Sequence, residues 1–172
     1  MIASFDVVTG ESISPTVGPT GCPLGPEEDF LEHCKRTVEL HPDSEWRIVV
    51  DQLNTHWSES LVLWVLAMEE QKLSPDELGV KGKSGILKPQ ETRQAFLSAP
   101  ERKIRFVYVP KHSSWMNQVE IWFSVVVRRV LKRGNFPSLE ALRQRLLDFI
   151  DYFNRTMAKP YRWTFTGQPL KI

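Results

Sequence analysis

The stretch Ile104–Arg133, IRFVYVPKHSSWMNQVEIWFSVVVRRVLKR, decides how the whole chain is read. Ile104 to Val109 is dense in β-branched and aromatic residues and stops at Pro110, as a short interior strand does. A helix is expected next, capped by Ser113 or Ser114. Trp115, Val119, Trp122, Phe123, Val126 and Val130 recur with helical spacing, and Lys132, Arg133 and Gly134 supply its stop signal. On the other side Asn117, Glu120, Ser124 and Arg128 stand three or four residues apart and form one polar line. A helical glutamate in such a line is ordinarily a solvated surface residue, so Glu120 becomes a candidate only through its company.

Outward from that stretch, Trp46 to Asp51, WRIVVD, is a near-continuous apolar run ending in a carboxylate, the pattern of a strand buried on both faces of an α/β sheet. Ligands of open α/β sheets collect beyond the carboxyl ends of strands, which puts Asp51 at the mouth of a site; the plainer alternative is an aspartate that opens the next turn. After the polar segment Gln52 to His56, Trp57 to Glu70 is expected as an apolar helix carrying Leu61, Trp64, Val65 and Met68. Before the strand, MIASFDVV and ESISPTV flank Thr9-Gly10 and predict a hairpin. Gly18 to Pro26 is a linker without a phosphate-binding glycine pattern, and Glu27 to Leu40 a helix with Phe30, Leu31, Cys34 and Val38 on one face.

From Gln71 to Lys103 proline and glycine break the periodicity, so a flexible insertion over about 71–103 is expected, with a short helix at Glu91 to Ser98. Lys81, Lys83 and Lys88 cluster among its glycines; they either grip a phosphate backbone or are simply solvated. Ser138 should cap a last helix bearing Leu139, Leu142, Leu146, Phe149, Ile150 and Phe153 on its apolar face, and Trp163 should pack the aromatic tail KPYRWTFTGQPLKI on the core.

With 172 residues, 41% hydrophobic, the chain can bury one sizeable core, which favours a single domain over 1–172. A net charge of +1 gives no global electrostatic footprint for nucleic acid, so any such contact must be local. Cys22 and Cys34 are too few for a disulfide framework and, with His33 and His41 nearby, match no zinc-binding spacing; free thiols in a reducing cytoplasm are expected. No secretory signal opens the sequence. Its longest apolar run, Leu61 to Met68, is far too short to span a bilayer, so a soluble chain without membrane contact is expected.

Strand–helix order and two carboxylates poised at one sheet edge describe an α/β layer fold suited to phosphodiester chemistry, in which hard divalent ions take carboxylate oxygens. The segments VVDQLNTH at Val49 to His56, VPKHSSWMNQVEIWFS at Val109 to Ser124 and KPYRWTFTG near the end resemble the DDE transposases of the IS630 group, within the IS630/Tc1/mariner superfamily. The resemblance covers nearly the whole chain. It implies a ribonuclease H-like mixed sheet flanked by helices, in which three acidic residues bind two Mg²⁺ or Mn²⁺ ions to cleave and rejoin double-stranded DNA at transposon ends and target. By position Asp51 matches the second aspartate and Glu120 the final glutamate, both catalytic and metal-binding, while Asn117 and His56 match site-orienting residues. His56 has a structural hydrogen-bonding role as its alternative.

Lys81, Lys83, Arg128, Arg129 and Lys132 are the candidate DNA contacts, a homodimer is compatible with the pattern, and a bacterial cytoplasmic location on the nucleoid follows. Gln52 stands where the family commonly has asparagine. In the family the first aspartate lies on a central strand upstream of the hairpin, so the sequence is expected to start after that strand, to lack a helix-turn-helix region and to be deficient in transposition. Asp6 is the sole candidate replacement. The reading of a different class is a non-catalytic remnant that binds DNA, or a full-length transposase, through Arg128, Arg129, Lys132 and Arg133.

Overall fold

The computed structural model describes residues 1–17, 25–110, 117–132 and 134–160. Ser113, Ser114, Trp115, Arg133, Cys22 and Trp163, each singled out above, lie outside them. The architecture is mixed α/β. Strands β1 (Ile2–Phe5) and β2 (Ser12–Thr16) pair antiparallel, with a register shift between Ile2 and Ser4. Helix α1 (Pro26–Glu39) follows, then strand β3 (Trp46–Val50), a 3₁₀ turn at Asn54–Trp57 and helix α2 (Glu59–Met68). A single-turn helix α3 (Pro75–Leu78), helix α4 (Gln90–Ser98) and strand β4 (Ile104–Tyr108) complete the first half. Helix α5 (Gln118–Val126) runs into a π-helical turn at Val127–Leu131, and helix α6 (Leu139–Thr156) ends the described chain.

The hairpin turn is built by its own side chains. Asp6 Oδ1 accepts the Val8 N–H at 2.8 Å, Asp6 Oδ2 accepts the Thr9 hydroxyl at 3.1 Å, and the Gly10 N–H donates to the Asp6 carbonyl at 2.7 Å. Gly10 is required here: its φ is +80°, and a Cβ would sit 1.9 Å from the Lys159 carbonyl oxygen. Asp6 is thereby committed to a turn. The Asn154 amide grips Ser12 of β2 at both backbone groups, each at 2.9 Å, and so docks α6 on the hairpin.

Strands β3 and β4 are parallel and in register from Trp46 against Ile104 to Val50 against Tyr108. Ile104 and Phe106 are fully buried, but the other face is open. Val49 is 47% and Val107 37% exposed, so β3 is not buried on both faces as its apolar run suggests. Among the described residues one face is covered, by helices that share a core of Cys34, Val38, Leu61, Val62, Val65 and Leu97. Helix α2 starts at the Ser58 cap, whose hydroxyl accepts the Leu61 N–H, and Met68 at its far end is exposed.

The stretch read as an insertion is built into that core. A capping box joins Ser74 and Glu77, and Gly79 at φ +73° turns the chain so closely that a Cβ would sit 2.0 Å from the Ser84 carbonyl oxygen. Backbone bonds from Ile86 to Glu77 and from Leu87 to Leu78 then deliver Leu87 inward, and α4 adds Phe96 and Leu97. Arg102, nearly buried, locks the exit. It pairs with Glu69 at 2.9 Å, contacts Gln71, donates to the Phe96 carbonyl at 3.2 Å and lies 3.9 Å over the Phe96 ring.

A second core joins Trp122, Val126 and Val130 to Leu146, Phe149, Ile150 and Phe153 of α6, with Ala3, Phe5 and Val17 of the hairpin region packed against it. Leu139 is 80% exposed and leaves the apolar face expected for it, because it is the first helical residue and precedes the turn that packs. Helix α1 sits between the cores. Its Cys34 and Val38 enter the first, while His33 Nε2 lies 2.8 Å from the Ser4 hydroxyl of β1.

Burial lowers the His33 pKa from 6.5 to about 4; the nearby Ser14 backbone opposes the fall and the Arg36 charge adds to it. Between those values the unfolded chain takes a proton that the folded chain refuses, so stability rises with pH through this window. Acidification from pH 6.5 to 4 is expected to remove about 3 kcal/mol, and His33→Gln to flatten that slope in urea titrations at several pH values. Arg102→Ala leaves Glu69 without its partner and is expected to cost about 3 kcal/mol in the same assay.

Candidate functional site

Asp51 follows β3 directly, and the local fold holds it firmly. His56 Nδ1 lies 2.8 Å from Asp51 Oδ1 and 3.1 Å from its carbonyl oxygen, and the Leu53 N–H donates to Oδ1 at 3.2 Å. Both neighbours of Nδ1 are acceptors, so that nitrogen carries the proton. The ring of His56 packs on Phe30 of α1 at 4.3 Å between centroids, and its carbonyl accepts the Tyr108 hydroxyl at 2.8 Å. Burial pushes the Tyr108 phenol pKa up, with Cys34 adding to the rise, so the hydroxyl remains a donor at neutral pH. His56 thus has a structural hydrogen-bonding place as well as its contact with the carboxylate.

Gln52 is a brace that sequence reading passed over. Its amide donates to the Val109 carbonyl at 2.9 Å, and its oxygen accepts the Gln94 amide at 3.0 Å. One side chain therefore ties the ends of β3 and β4 to α4. An amide one residue after a strand-terminal aspartate was the available signal, and only the register of two strands distant in sequence reveals its partner.

Glu120 stands in the first turn of α5, exposed, with its N–H bonded to the Asn117 carbonyl at 3.0 Å. Asn117 occupies the N-cap position without using its side chain as a cap. The expected polar line is present: Glu120, Ser124 and Arg128 are exposed on one side, opposite the buried Trp122 and Val126. Asp51 directly follows Val50 of the first core, whereas the helix of Glu120 packs into the second through Trp122 and Val126. Both carboxylates are hard oxygen donors of the kind Mg²⁺ takes. Among the described residues, however, no group of three or more His, Cys, Asp or Glu is placed to hold a metal ion.

The basic candidates fall into two sets. Lys81 lies 3.9 Å from Glu27 of α1, and Lys83 is exposed on the same glycine-rich loop. Arg128, Arg129 and Lys132 ride the π turn, where the Lys132 N–H reaches back five residues to the Val127 carbonyl at 2.9 Å. Arg128 folds onto Ser124, donating to its carbonyl at 3.2 Å and its hydroxyl at 3.4 Å. No described helix is long and apolar enough to cross a membrane.

A family model described as DDE superfamily endonuclease matches residues 25–143, more than half of the chain, and spans Asp51, His56, Asn117, Glu120 and every basic candidate. No curated protein and no solved structure matches. Gln52→Leu removes both brace bonds and is expected to cost about 2 kcal/mol. Amide exchange should then quicken at Asp51 to Leu53 and at Val109, whereas exchange in α6 should not change.

Proposed function

Because the chain belongs to the DDE superfamily endonucleases, we propose that it is the catalytic domain of a DDE transposase of the IS630 group, cleaving and rejoining the DNA of an insertion sequence. The observation that carries this reading is Asp51, held by His56 and Leu53 at the carboxyl end of a strand within the family match. Side chains fixed by packing and hydrogen bonds lose little order when they take up a ligand, which is what a catalytic carboxylate needs.

In this reading Asp51 and Glu120 are the metal-holding carboxylates of a ribonuclease H-like site. The ions, Mg²⁺ or Mn²⁺, would stabilise charge on the phosphate oxygens. His56, with its Nδ1 proton on Asp51, fixes the orientation of that carboxylate. Asn117, free of capping, orients the site or the DNA beside Glu120. Lys83 and the π-turn cations Arg128, Arg129 and Lys132 meet phosphate backbone, with Lys81 released from Glu27 when DNA arrives.

A second reading, a DNA-binding form without catalysis, is favoured by one observation. Asp6, the remaining acidic candidate of the hairpin, spends both carboxylate oxygens on its own turn.

Nicking of supercoiled plasmid by the full chain separates the two. With Mg²⁺ or Mn²⁺ the enzymatic reading expects nicked product that EDTA abolishes and that Asp51→Asn or Glu120→Gln reduces to background. His56→Asn should lower the rate roughly 10-fold, as losses in the shell around a metal ligand do. Retention of plasmid without nicking in either metal overturns the enzymatic reading in favour of the second.

A further inference from the structure

Helix α6 carries three arginines, and two of them are neutralised along the helix. Arg143 pairs with Glu140 at 3.2 Å and donates to the Val17 carbonyl, and Arg155 pairs with Asp151. Arg145 has no acidic partner among the described residues, although Asp148 lies one turn away. Asp148 instead accepts the Gln144 amide at 2.8 Å. Across the cleft the π turn presents Arg128 and Arg129, also without acidic partners.

Two adjoining cavities, of about 410 and 580 Å³, both have Arg129 and Arg145 in their walls. The larger also has Arg128, Asp148, Phe149 and Tyr152, and Tyr152 is 52% exposed. A π turn is an uncommon element that recurs at functional sites, and here it brings two consecutive arginines to one cleft.

Guanidinium groups left unpaired in the walls of one cleft repel each other and suit an anion such as phosphate. An aromatic ring half open beside them offers a stacking face. A cavity of this size holds a nucleotide or two, whereas a duplex backbone would pass over the arginines without using the tyrosine. We infer that the cleft between the π turn and α6 is a binding site for an unpaired nucleotide of a DNA strand, with phosphate on Arg129 and Arg145 and the base stacked on Tyr152. Asp148, held by Gln144, offsets one positive charge and can accept an N–H from the base edge. This inference rests on DNA as the substrate class of the proposed function.

The test is fluorescence anisotropy with the full chain in EDTA, using a labelled oligothymidylate, the corresponding blunt duplex and a labelled poly-glutamate peptide. Tyr152→Ala is expected to weaken single-strand binding about 10-fold and to leave duplex binding unchanged, while Tyr152→Phe binds like the unaltered chain. Arg145→Ala should weaken single-strand binding and reduce its salt slope by about one phosphate contact, whereas Arg143→Ala, at the neutralised position, should not. Circular dichroism checks that each variant is folded. Single-strand affinity unaffected by Tyr152→Ala, equal losses on duplex and single strand, or poly-glutamate bound as tightly as the oligonucleotide would each overturn the inference. Binding is read without metal, so nicking that persists while single-strand binding shows no Tyr152 dependence sinks this site alone, and Tyr152-dependent single-strand binding without nicking sinks the enzymatic reading alone.

Discussion

The in-register parallel pairing of Trp46–Val50 with Ile104–Tyr108 is the constraint on which the first half of the molecule depends. A tight turn cannot connect parallel strands, so the chain between them must cross over, and here it spends α2, α3 and α4 in doing so. Long-range side-chain ties hold the register after such a crossing. Arg102 with Glu69 fixes the start of β4 to the end of α2. Gln52 fixes the ends of both strands to each other, and Tyr108 fixes β4 to the 3₁₀ turn that carries His56. The placement of Asp51 is the sum of these ties, because a slip of one residue would turn its side chain to the other face.

The second consequence is a division of labour between two cores. The first positions Asp51 and His56; the second positions Glu120 and the π-turn cations. Helix α1 links them, with Cys34 and Val38 in the first core and His33 against Ser4 of the hairpin. The buried, uncharged His33 is therefore a joint between halves that carry different candidate residues, and an event that charges it loosens the relation between them. Phe30 on the same helix packs the His56 ring, so α1 also touches the surroundings of Asp51 directly.

Much of this was legible in the sequence. The hairpin, the two strands at Trp46 and Ile104, α1, α2, α6 and the buried stripe of α5 follow from periodicity and stop signals, since burial of one face dictates spacing, whereas the parallel pairing of those strands does not. What escaped reading depends on tertiary contact. The run WRIVV looks the same whether one face or two are covered, and only the structure reveals Val49 in the open. The glycine-rich stretch looked detached because its apolar residues reach the core from tight turns and one short helix, yet Leu97 is as buried as Phe106 and Leu87 more so than Val50. The π turn leaves no trace, because Val126 and Val130 are spaced alike in α and π geometry. Asp51 was visible as a strand-terminal carboxylate; its partner His56 was visible only by resemblance, and Gln52 as a brace not at all.

The net charge of +1 also conceals how charge is arranged. Solvated pairs such as Arg36 with Glu32, Arg143 with Glu140 and Arg155 with Asp151 add little stability and little field outside the molecule. Their effect is to leave the unpaired cations as the main sources of positive potential. Among the described residues Arg128, Arg129, Arg145 and Lys132 have no carboxylate within ion-pair distance, and three of them line one cleft. Clustering unneutralised arginines gains nothing in folding, since like charges repel and their guanidiniums stay in water. Asp148 in the same cleft offsets part of that charge, and what remains gathers positive potential at one place that the net charge of +1 does not reveal.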